Sequence, residues 1–495
     1  MTEECRTAGG KKELPAAFVE EMRELFGKLS GVSVSELPAF FENLQGERSY
    51  GLRRNPLKYT EKEFEEKMPF SLKKVAWAED GYFYEKEEQP GKSPYHEAGA
   101  YYIQEPSAMI AVRLLEPEPG EHIADLCAAP GGKSAQIAGR MRGEGLLVCN
   151  EFVPARAEIL AQNMERMGVP NCVILKEDVK NMAERFPVFF DRVLVDAPCS
   201  GSGMFRKEEQ ALLQWSPENV GMCARRQREI LRYAAGMVKP GGVLVYSTCS
   251  FSRAENEDVV KSFLEEHGEF YPDETVLPEK LLDEGVCPGA LAGTVRMWPH
   301  KLQGEGHFAA KLRKRGEREQ SGGYVKSEKK RSGRIKRQSP GMRNAELEQW
   351  NDFRNFCEQY LEKKYLSELE KRGRFVWRRE RLYLVPEMLP DTGGLRIERG
   401  GLYLGEAKKG RFEPSHTWAM TLKKDEVRQW MELRDPAAYL RGETAENENR
   451  KGWVLMLLEG KPLGWGKAGG NTVKNHYPKG LRKGSAPAMK ESHER

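Results

Sequence analysis

Between residues 91 and 312 the chain alternates short apolar runs with helical patterns. The runs are His122 to Cys127, Leu146 to Glu151, Cys172 to Asp178, Arg192 to Asp196 and Val243 to Thr248. The helical patterns cover Lys133 to Arg142, Pro154 to Met167 and Pro217 to Val238. Strands that alternate with helices predict a doubly wound, Rossmann-like α/β sheet with helices on both faces. Outside this block the pattern changes. Residues 13 to 90 are mixed and charged, with an amphipathic stretch from Phe18 to Phe26 and a turn-rich Arg53-Arg54-Asn55-Pro56. From 344 onward a helical pattern gives way to short strands at Arg381–Val385, Leu395–Glu398, Leu402–Leu404, Trp453–Leu458 and Leu463–Trp465. Between the blocks, Lys311 to Arg337 holds twelve Lys or Arg and three acids among Gly and Ser. Such a composition cannot build a core, so 313–343 reads as a solvated tether or a phosphate-attracting one. No internal repeat of 20–50 residues is visible.

Length agrees with several domains: 495 residues, at ~150 per domain, give about three. The net charge is only +4, so bulk charge does not announce a polyanion partner; the distribution of charge has to be read instead. The nine cysteines form no Cys-x-x-Cys pair. Met1 to Lys12 contains no apolar run, and Trp453 to Leu458 falls far short of the ~20 residues of a membrane span. The expectation is a cytoplasmic protein with reduced thiols, no metal and no membrane partner.

Ligands of doubly wound sheets bind at the carboxyl ends of the strands. The first strand ends in Asp125-Leu126-Cys127-Ala128-Ala129-Pro130-Gly131-Gly132-Lys133-Ser134, where small residues admit a ligand to the backbone at the start of a helix. A P-loop would need Gly where Cys127 stands, and Pro130 removes an amide. The second strand ends at Asn150-Glu151; the acid suits a ribose hydroxyl pair or caps the helix beginning at Pro154. The third ends at Glu177-Asp178, suited to an adenine amine or to a turn. Together these positions indicate an adenosine-containing ligand. They leave dinucleotide and S-adenosylmethionine both open, although G-x-G-x-x-G spacing is missing. The fourth strand ends in Asp196-Ala197-Pro198-Cys199-Ser200-Gly201-Ser202-Gly203 and the fifth in Ser247-Thr248-Cys249-Ser250. Neighbouring strands lie about 4.8 Å apart, so these loops should converge and bring one Asp and two Cys beside the ligand.

Asp125 to Lys133, Asp196 to Gly201 and Ser247 to Ser250 resemble motifs I, IV and VI of the Sun-type RNA (cytosine-C5)-methyltransferases. Gln104-Glu105-Pro106-Ser107, Trp298-Pro299-His300 and Gly306 to Leu312 agree, so the resemblance covers roughly residues 15–312. Gly452-Trp453-Val454, Gly464 to Lys467 and Tyr477 to Arg482 resemble the RNA-binding tail, a PUA-like barrel, of the bacterial small-subunit ribosomal RNA methyltransferase F group. The resemblance implies an N-terminal α+β RNA-binding domain (1–90), a catalytic domain (91–312), the basic linker (313–343), a second RNA-binding region (344–412) and a PUA-like domain with a basic tail (413–495). It implies that S-adenosylmethionine contacts Cys127, Ala128, Ala129, Pro130, Gly131, Gly132, Lys133, Glu151, Asp178 and Asp196. Cys249 matches the nucleophile and Cys199 the thiol that assists release. Ser202-Gly203 departs mildly from the family pattern.

The chemistry fits those residue types. Carbon 5 of cytosine is too electron-poor to attack a methyl sulfonium, and a thiolate adding at carbon 6 makes it enamine-like. Free Cys has a pKa of ~8.5, so Lys133 and the sulfonium would favour the anion. Asp196, protonated through burial, would donate to nitrogen 3. Cys199 would let the carbon 5 proton leave. The target base must leave its stack, which favours loop or single-stranded RNA. Arg48, Arg53, Arg54 and Lys58 either grip phosphate or form a solvated basic surface; Trp465, His476 and Tyr477 either stack on bases or fill a barrel core. The tail favours 16S ribosomal RNA or the small subunit as partner; the core alone leaves transfer RNA open, as it does a non-catalytic assembly factor. An amino-group methyltransferase would want Asp/Asn-Pro-Pro-aromatic at the fourth strand. A monomer is the default.

Overall fold

A computed structural model of the chain describes residues 13–29, 31–274, 279–317 and 344–482. Its centre is a ten-stranded sheet. In chain order the strands are β1 (His122–Asp125), β2 (Leu146–Asn150), β3 (Cys172–Leu175), β4 (Phe190–Asp196), β5 (Val238–Thr248), β6 (Phe270–Pro272), β7 (Val286–Pro288), β8 (Thr294–Met297), β9 (His307–Lys314) and β10 (Ile397–Arg399). The order across the sheet is β7-β8-β9-β5-β4-β1-β2-β3-β10, with β6 pairing β9. Strands β1 to β5 are parallel to one another; β6 to β10 join antiparallel.

The central strands read as nearly unbroken apolar runs because both of their faces are buried. Ile123, Leu147, Ile174, Leu194 and Val245 pack on one side against Ile110–Leu115, α1 (Gly132–Met141) and α2 (Pro154–Arg166). Ala124, Val148, Val173, Val193 and Leu244 pack on the other side against α3 (Val179–Arg185), α4 (Pro217–Met237) and α5 (Glu257–Glu266). The strand alternation thus sorts one residue set into two cores.

Edge strand β10 comes from the segment read as Leu395–Glu398. It is fastened to β3 by Lys176–Glu398 (2.8 Å) and by Arg396, which reaches Glu177 at 3.1 Å. The basic stretch also begins differently from its expected form. Lys311 to Lys314 belong to β9, and Lys311 is buried against Glu116 (2.8 Å) and Asp273 (3.6 Å). The rest of the expected linker, 318–343, lies outside the described residues.

The N-terminal unit has a four-stranded sheet, Lys73–Lys74, Gly81–Phe83, Gly51–Arg54 and Tyr101–Ile103 in that spatial order. Its last strand lies past the break expected at residue 90, because Tyr101 fills a core with Leu52, Phe64 and Tyr82. The helix Ala16–Lys28 sets Phe18 against Phe205 and Trp215, and Phe26 against Trp298. The phosphate-gripping role expected of its basic residues is contradicted for three of the four. Arg53 is buried and donates to Gln104 Oε1 (3.0 Å) and to the Gly132 carbonyl (2.7 Å). Arg54 pairs with Asp80 and donates to the Tyr59 carbonyl at 2.6 Å. Lys58 donates to the Ala98 and Arg166 carbonyls, and burial pushes its pKa well down. All three tie the N-terminal unit together or to the core; Arg48 alone is exposed.

At the C-terminal end, Trp430–Glu432, Gly452–Leu458, Lys461–Gly469, Thr472–Asn475 and Ala445–Glu446 curl into a five-stranded half-barrel. Trp465 and Tyr477 are core residues here, each 2% exposed, and only His476 of the three candidate stackers faces outward.

Candidate active site

The loops after β4 and β5 converge as neighbouring parallel strands require. Cys199 Sγ lies 3.2 Å from Cys249 Sγ. The approach depends on Gly203, whose N–H donates to the Cys249 carbonyl at 2.8 Å. A Cβ there would stand 2.8 Å from the Cys249 and Gly306 carbonyl oxygens.

The register Asp196↔Ser247↔Ala309 puts Asp196, Ser247 and His307 on one face of the sheet. Lys133, in the first turn of α1, donates to Asp196 Oδ2 at 2.8 Å, and the Ser247 hydroxyl donates to Oδ1 at 2.8 Å. Burial alone would raise the Asp196 carboxyl. The Lys133 ammonium and the Ser247 bond outweigh burial and hold its pKa below the ordinary carboxylate value. A neutral, burial-raised Asp196 is therefore contradicted: the side chain is a carboxylate, still 30% exposed toward the cleft. Burial opposes the Lys133 charge, yet Asp196 and then Cys249 raise its pKa. The Cys199 thiol is pushed well up by its hydrogen bond to Cys249 first and by burial second, so it keeps its proton.

A residue without an expected role binds the two thiol loops together. Glu255 is fully buried and accepts from Ser200 N (2.8 Å), the Ser200 and Ser250 hydroxyls (the latter at 2.6 Å) and Gln227 Nε2 (3.1 Å). Asn256 accepts from the Thr248 hydroxyl (2.6 Å) and donates to the Ser250 carbonyl (2.7 Å). Arg296 grips Glu257 with two nitrogens and donates to the Phe251 carbonyl at 2.9 Å. His307 is buried with Nε2 3.8 Å from Asp196 Oδ1, and burial pushes its pKa down to about 3, so it is neutral.

The ends of β1 to β3 form the remaining wall. Gly131, at φ 112°, turns the chain into α1, whose first turn carries no capping side chain. The N–H groups of that first turn have no intrahelical acceptor. Burial pushes the Cys127 thiol up, so it remains a neutral wall residue. Asp125 accepts from the Ser134 hydroxyl at 2.6 Å, and burial raises its pKa to about 7. The Glu151 carboxylate accepts from Val153 N (2.9 Å) and pairs with Arg156 (3.1 Å). Exposed Asp178 caps α3 by accepting from Lys180 N at 2.8 Å. The amides at the start of α1 and the carboxylates at the ends of β2 and β3 fit the polar half of an adenosine-containing ligand. Among the described residues no group of three or more His, Cys, Asp or Glu could hold a metal ion, and no helix is long and apolar enough to cross a membrane.

Sheet order and strand-end site together define a class I methyltransferase. Residues 112–313 match the family model described as 16S rRNA methyltransferase RsmB/F. Residues 14–106 match the N-terminal domain of RsmF, 355–422 its first C-terminal domain and 422–483 its PUA domain. The chain is 31% identical over 455 residues to ribosomal RNA small subunit methyltransferase F of Aeromonas hydrophila, covering 87% of this chain and 90% of that one. It is 30% identical over 497 residues to the protein of the same name from Vibrio parahaemolyticus, covering 94% and 97%. Among solved structures, PH0851 superposes with a TM-score of 0.56 at 28% identity, over 62% of this chain and 70% of that one. NSun6 from Pyrococcus horikoshii, solved with SFG, superposes with a TM-score of 0.53 at 21% identity, over 61% and 99%, a likeness of fold. The chain belongs to the RsmB/F family of 16S rRNA methyltransferases, with the N-terminal, C-terminal and PUA domains of RsmF.

Proposed function

We propose that the protein methylates carbon 5 of a cytosine in 16S ribosomal RNA of the small subunit, in the cytoplasm, through a covalent bond from Cys249 to carbon 6. The observation that carries this reading is the pair of thiols 3.2 Å apart beside the Lys133–Asp196 ion pair. S-adenosylmethionine, when bound, supplies an electrophilic methyl group. The α1 amides, Cys127 to Lys133, Glu151, Asp178 and Asp196 are the residues that would hold it.

As a carboxylate, Asp196 accepts from the exocyclic amine of cytosine and repels the carbonyl that uracil carries there. Lys133 supplies positive charge where the ring becomes electron-rich, at nitrogen 3 and the neighbouring carbonyl. The Cys249 thiolate bonds to carbon 6, carbon 5 takes the methyl group, and the carbon 5 proton then leaves to a water beside Cys199, or to Cys199 itself once that thiol has given its own proton to water. The carbon 5–carbon 6 double bond re-forms as the Cys249 thiolate departs. Cys199 holds its proton while Cys249 attacks, which separates two chemically identical groups into two roles.

Cys199→Ala should accumulate a protein–RNA adduct that survives denaturing gel electrophoresis, and Cys249→Ala should form none. Equal adduct from both variants refutes the roles. A non-catalytic assembly factor would have no need of Lys133, Asp196, Cys199 and Cys249 in one cluster.

A further inference from the structure

A groove of about 720 Å³ runs between the N-terminal unit and the segment Pro299–Gln303. Its volume lies within the ~300–1,000 Å³ of small-ligand sites. None of the residues assigned above to methyl transfer lines it. Two aromatic rings, Tyr50 and Tyr84, stand on its N-terminal wall with centroids 5.7 Å apart and planes tilted by 59°. Both residues are half-buried and line the groove. The Arg48 guanidinium lies over the Tyr50 ring at 4.7 Å and has no carboxylate partner among the described residues.

The opposite wall is bound to the catalytic loops. Arg206, six residues beyond Ser200, donates to Glu305 at 2.7 Å and to the Gly304 carbonyl. Glu305 in turn accepts from Ser49 N at 2.7 Å, one residue from Tyr50. One buried ion pair thus ties the aromatic wall, the loop carrying Cys199 and the entry to β9 into a single surface. Gly203, three residues before Arg206, packs against the carbonyls of Cys249 and of Gly306, the residue after Glu305, so this surface adjoins the thiol loops.

We propose that this groove is the subsite for an unpaired nucleotide flanking the target cytosine, its base packed against the Tyr50 and Tyr84 rings and its phosphate facing Arg48. The proposal rests on the reading of the protein as an RNA methyltransferase. Other charges on the groove favour a base over a run of phosphates. Lys86 is paired with Glu47 at 3.0 Å and Lys301 with Glu36 at 2.9 Å, while Glu85 and Glu87 repel backbone charge. Splayed aromatic rings beside a guanidinium that has no carboxylate partner among the described residues form a stacking platform rather than a polyanion trough.

The test pairs protein and RNA changes. RNA oligonucleotides spanning the cytosine that the wild-type protein methylates are prepared with one abasic nucleotide at each neighbouring position in turn. Transfer is measured for wild type, Tyr50→Ala, Tyr84→Ala and Arg48→Glu, with Tyr50→Phe as the variant that keeps the ring. Base–aromatic stacking is worth ~1–3 kcal/mol, so Tyr50→Ala should lower kcat/KM for intact RNA about ten-fold, with an unchanged thermal midpoint and S-adenosylmethionine affinity. At one abasic position, wild type should lose the same factor and Tyr50→Ala should lose nothing more. Tyr50→Phe should behave as wild type. Additive losses at every position, or Tyr50→Ala matching wild type on intact RNA, would overturn the subsite while leaving the methyltransferase reading intact. A wild-type protein that methylates no RNA would overturn both.

Discussion

Replacing Glu255 by Gln changes one atom and tests whether this buried carboxylate sets the distance between the two thiols. Four donors converge on its two oxygens: Ser200 N, the Ser200 and Ser250 hydroxyls and Gln227 Nε2. A hydrogen bond to a charged group contributes about 1.5–3 kcal/mol, a neutral one about 0.5–1.5. In Glu255→Gln one oxygen remains for the two nitrogens, and the hydroxyls can turn to accept from the new amide. The loss is then the charge assistance of the two N–H bonds, about 1 kcal/mol each and about 2 kcal/mol together, because the hydroxyl bonds are replaced by bonds from the amide. Glu255→Ala leaves Ser200 N and Gln227 Nε2 with no acceptor, at about 1–3 kcal/mol each, for roughly 4 kcal/mol altogether. In a catalytic domain of this size each kcal/mol shifts the thermal midpoint by about 2–4 °C. The expected shifts are about 4–8 °C for Gln and about 8–16 °C for Ala. Loosened loops misplace sulfur atoms that must act on adjacent carbons, and a ~1 Å error can cost about 100-fold. Single-turnover methyl transfer by Glu255→Gln should fall at least ~10-fold, with S-adenosylmethionine affinity nearly unchanged. Differential scanning fluorimetry and quench-flow transfer assays read the two effects. A Gln variant that melts within about 1 °C of wild type and transfers methyl at the same rate would refute the reasoning.

Two further outcomes follow from the charges at the site. Asp196 has its pKa lowered by Lys133, so its contribution to stability is present above the unfolded value of ~3.9 and is lost only as pH falls through the still lower folded value. Lys133 is raised, so its contribution is present below ~10.4 and is lost above that. The pH profile of kcat/KM should therefore carry no limb from Asp196 between about pH 5 and 8; activity that falls through neutrality in wild type but not in Asp196→Asn would restore a protonated Asp196. Arg53→Met removes the grip on the Gly132 carbonyl and should weaken S-adenosylmethionine binding about ten-fold by calorimetry, one bond to a charged group converted to affinity. Unchanged affinity would show that the loop holds itself.

The central sheet was legible because strands buried on both faces must be apolar along their length, and helices between them must carry a 3.6-residue stripe. The expected runs at Leu146, Cys172 and Arg192 therefore became β2, β3 and β4 within a few residues. Cys199 and Cys249 were legible as a pair because strand order alone brings their loops together. The protonation of Asp196 was not, because burial and a neighbouring ammonium act in opposite directions and only the 2.8 Å distance to Lys133 decides between them. Arg53, Arg54 and Lys58 resembled an exposed basic patch because composition does not record which carbonyls a cation reaches. Glu255 lay six residues past Cys249 in a segment as polar as any surface turn, and only the fold shows it closing on Ser200 from the other loop. The strand Ile397–Arg399 was visible as a strand, but its partner β3 lies more than two hundred residues earlier, a pairing no local pattern carries.

The most direct measurement is bisulfite sequencing of small ribosomal subunits, naked 16S RNA and bulk transfer RNA, each incubated separately with the pure protein and S-adenosylmethionine. The account predicts new bisulfite-resistant cytosines in 16S RNA, free or within the subunit, and their absence with Cys249→Ala. Resistance confined to transfer RNA would contradict the assigned substrate. Intact RNA binding with no resistant cytosine in any of the three would contradict the catalytic role itself.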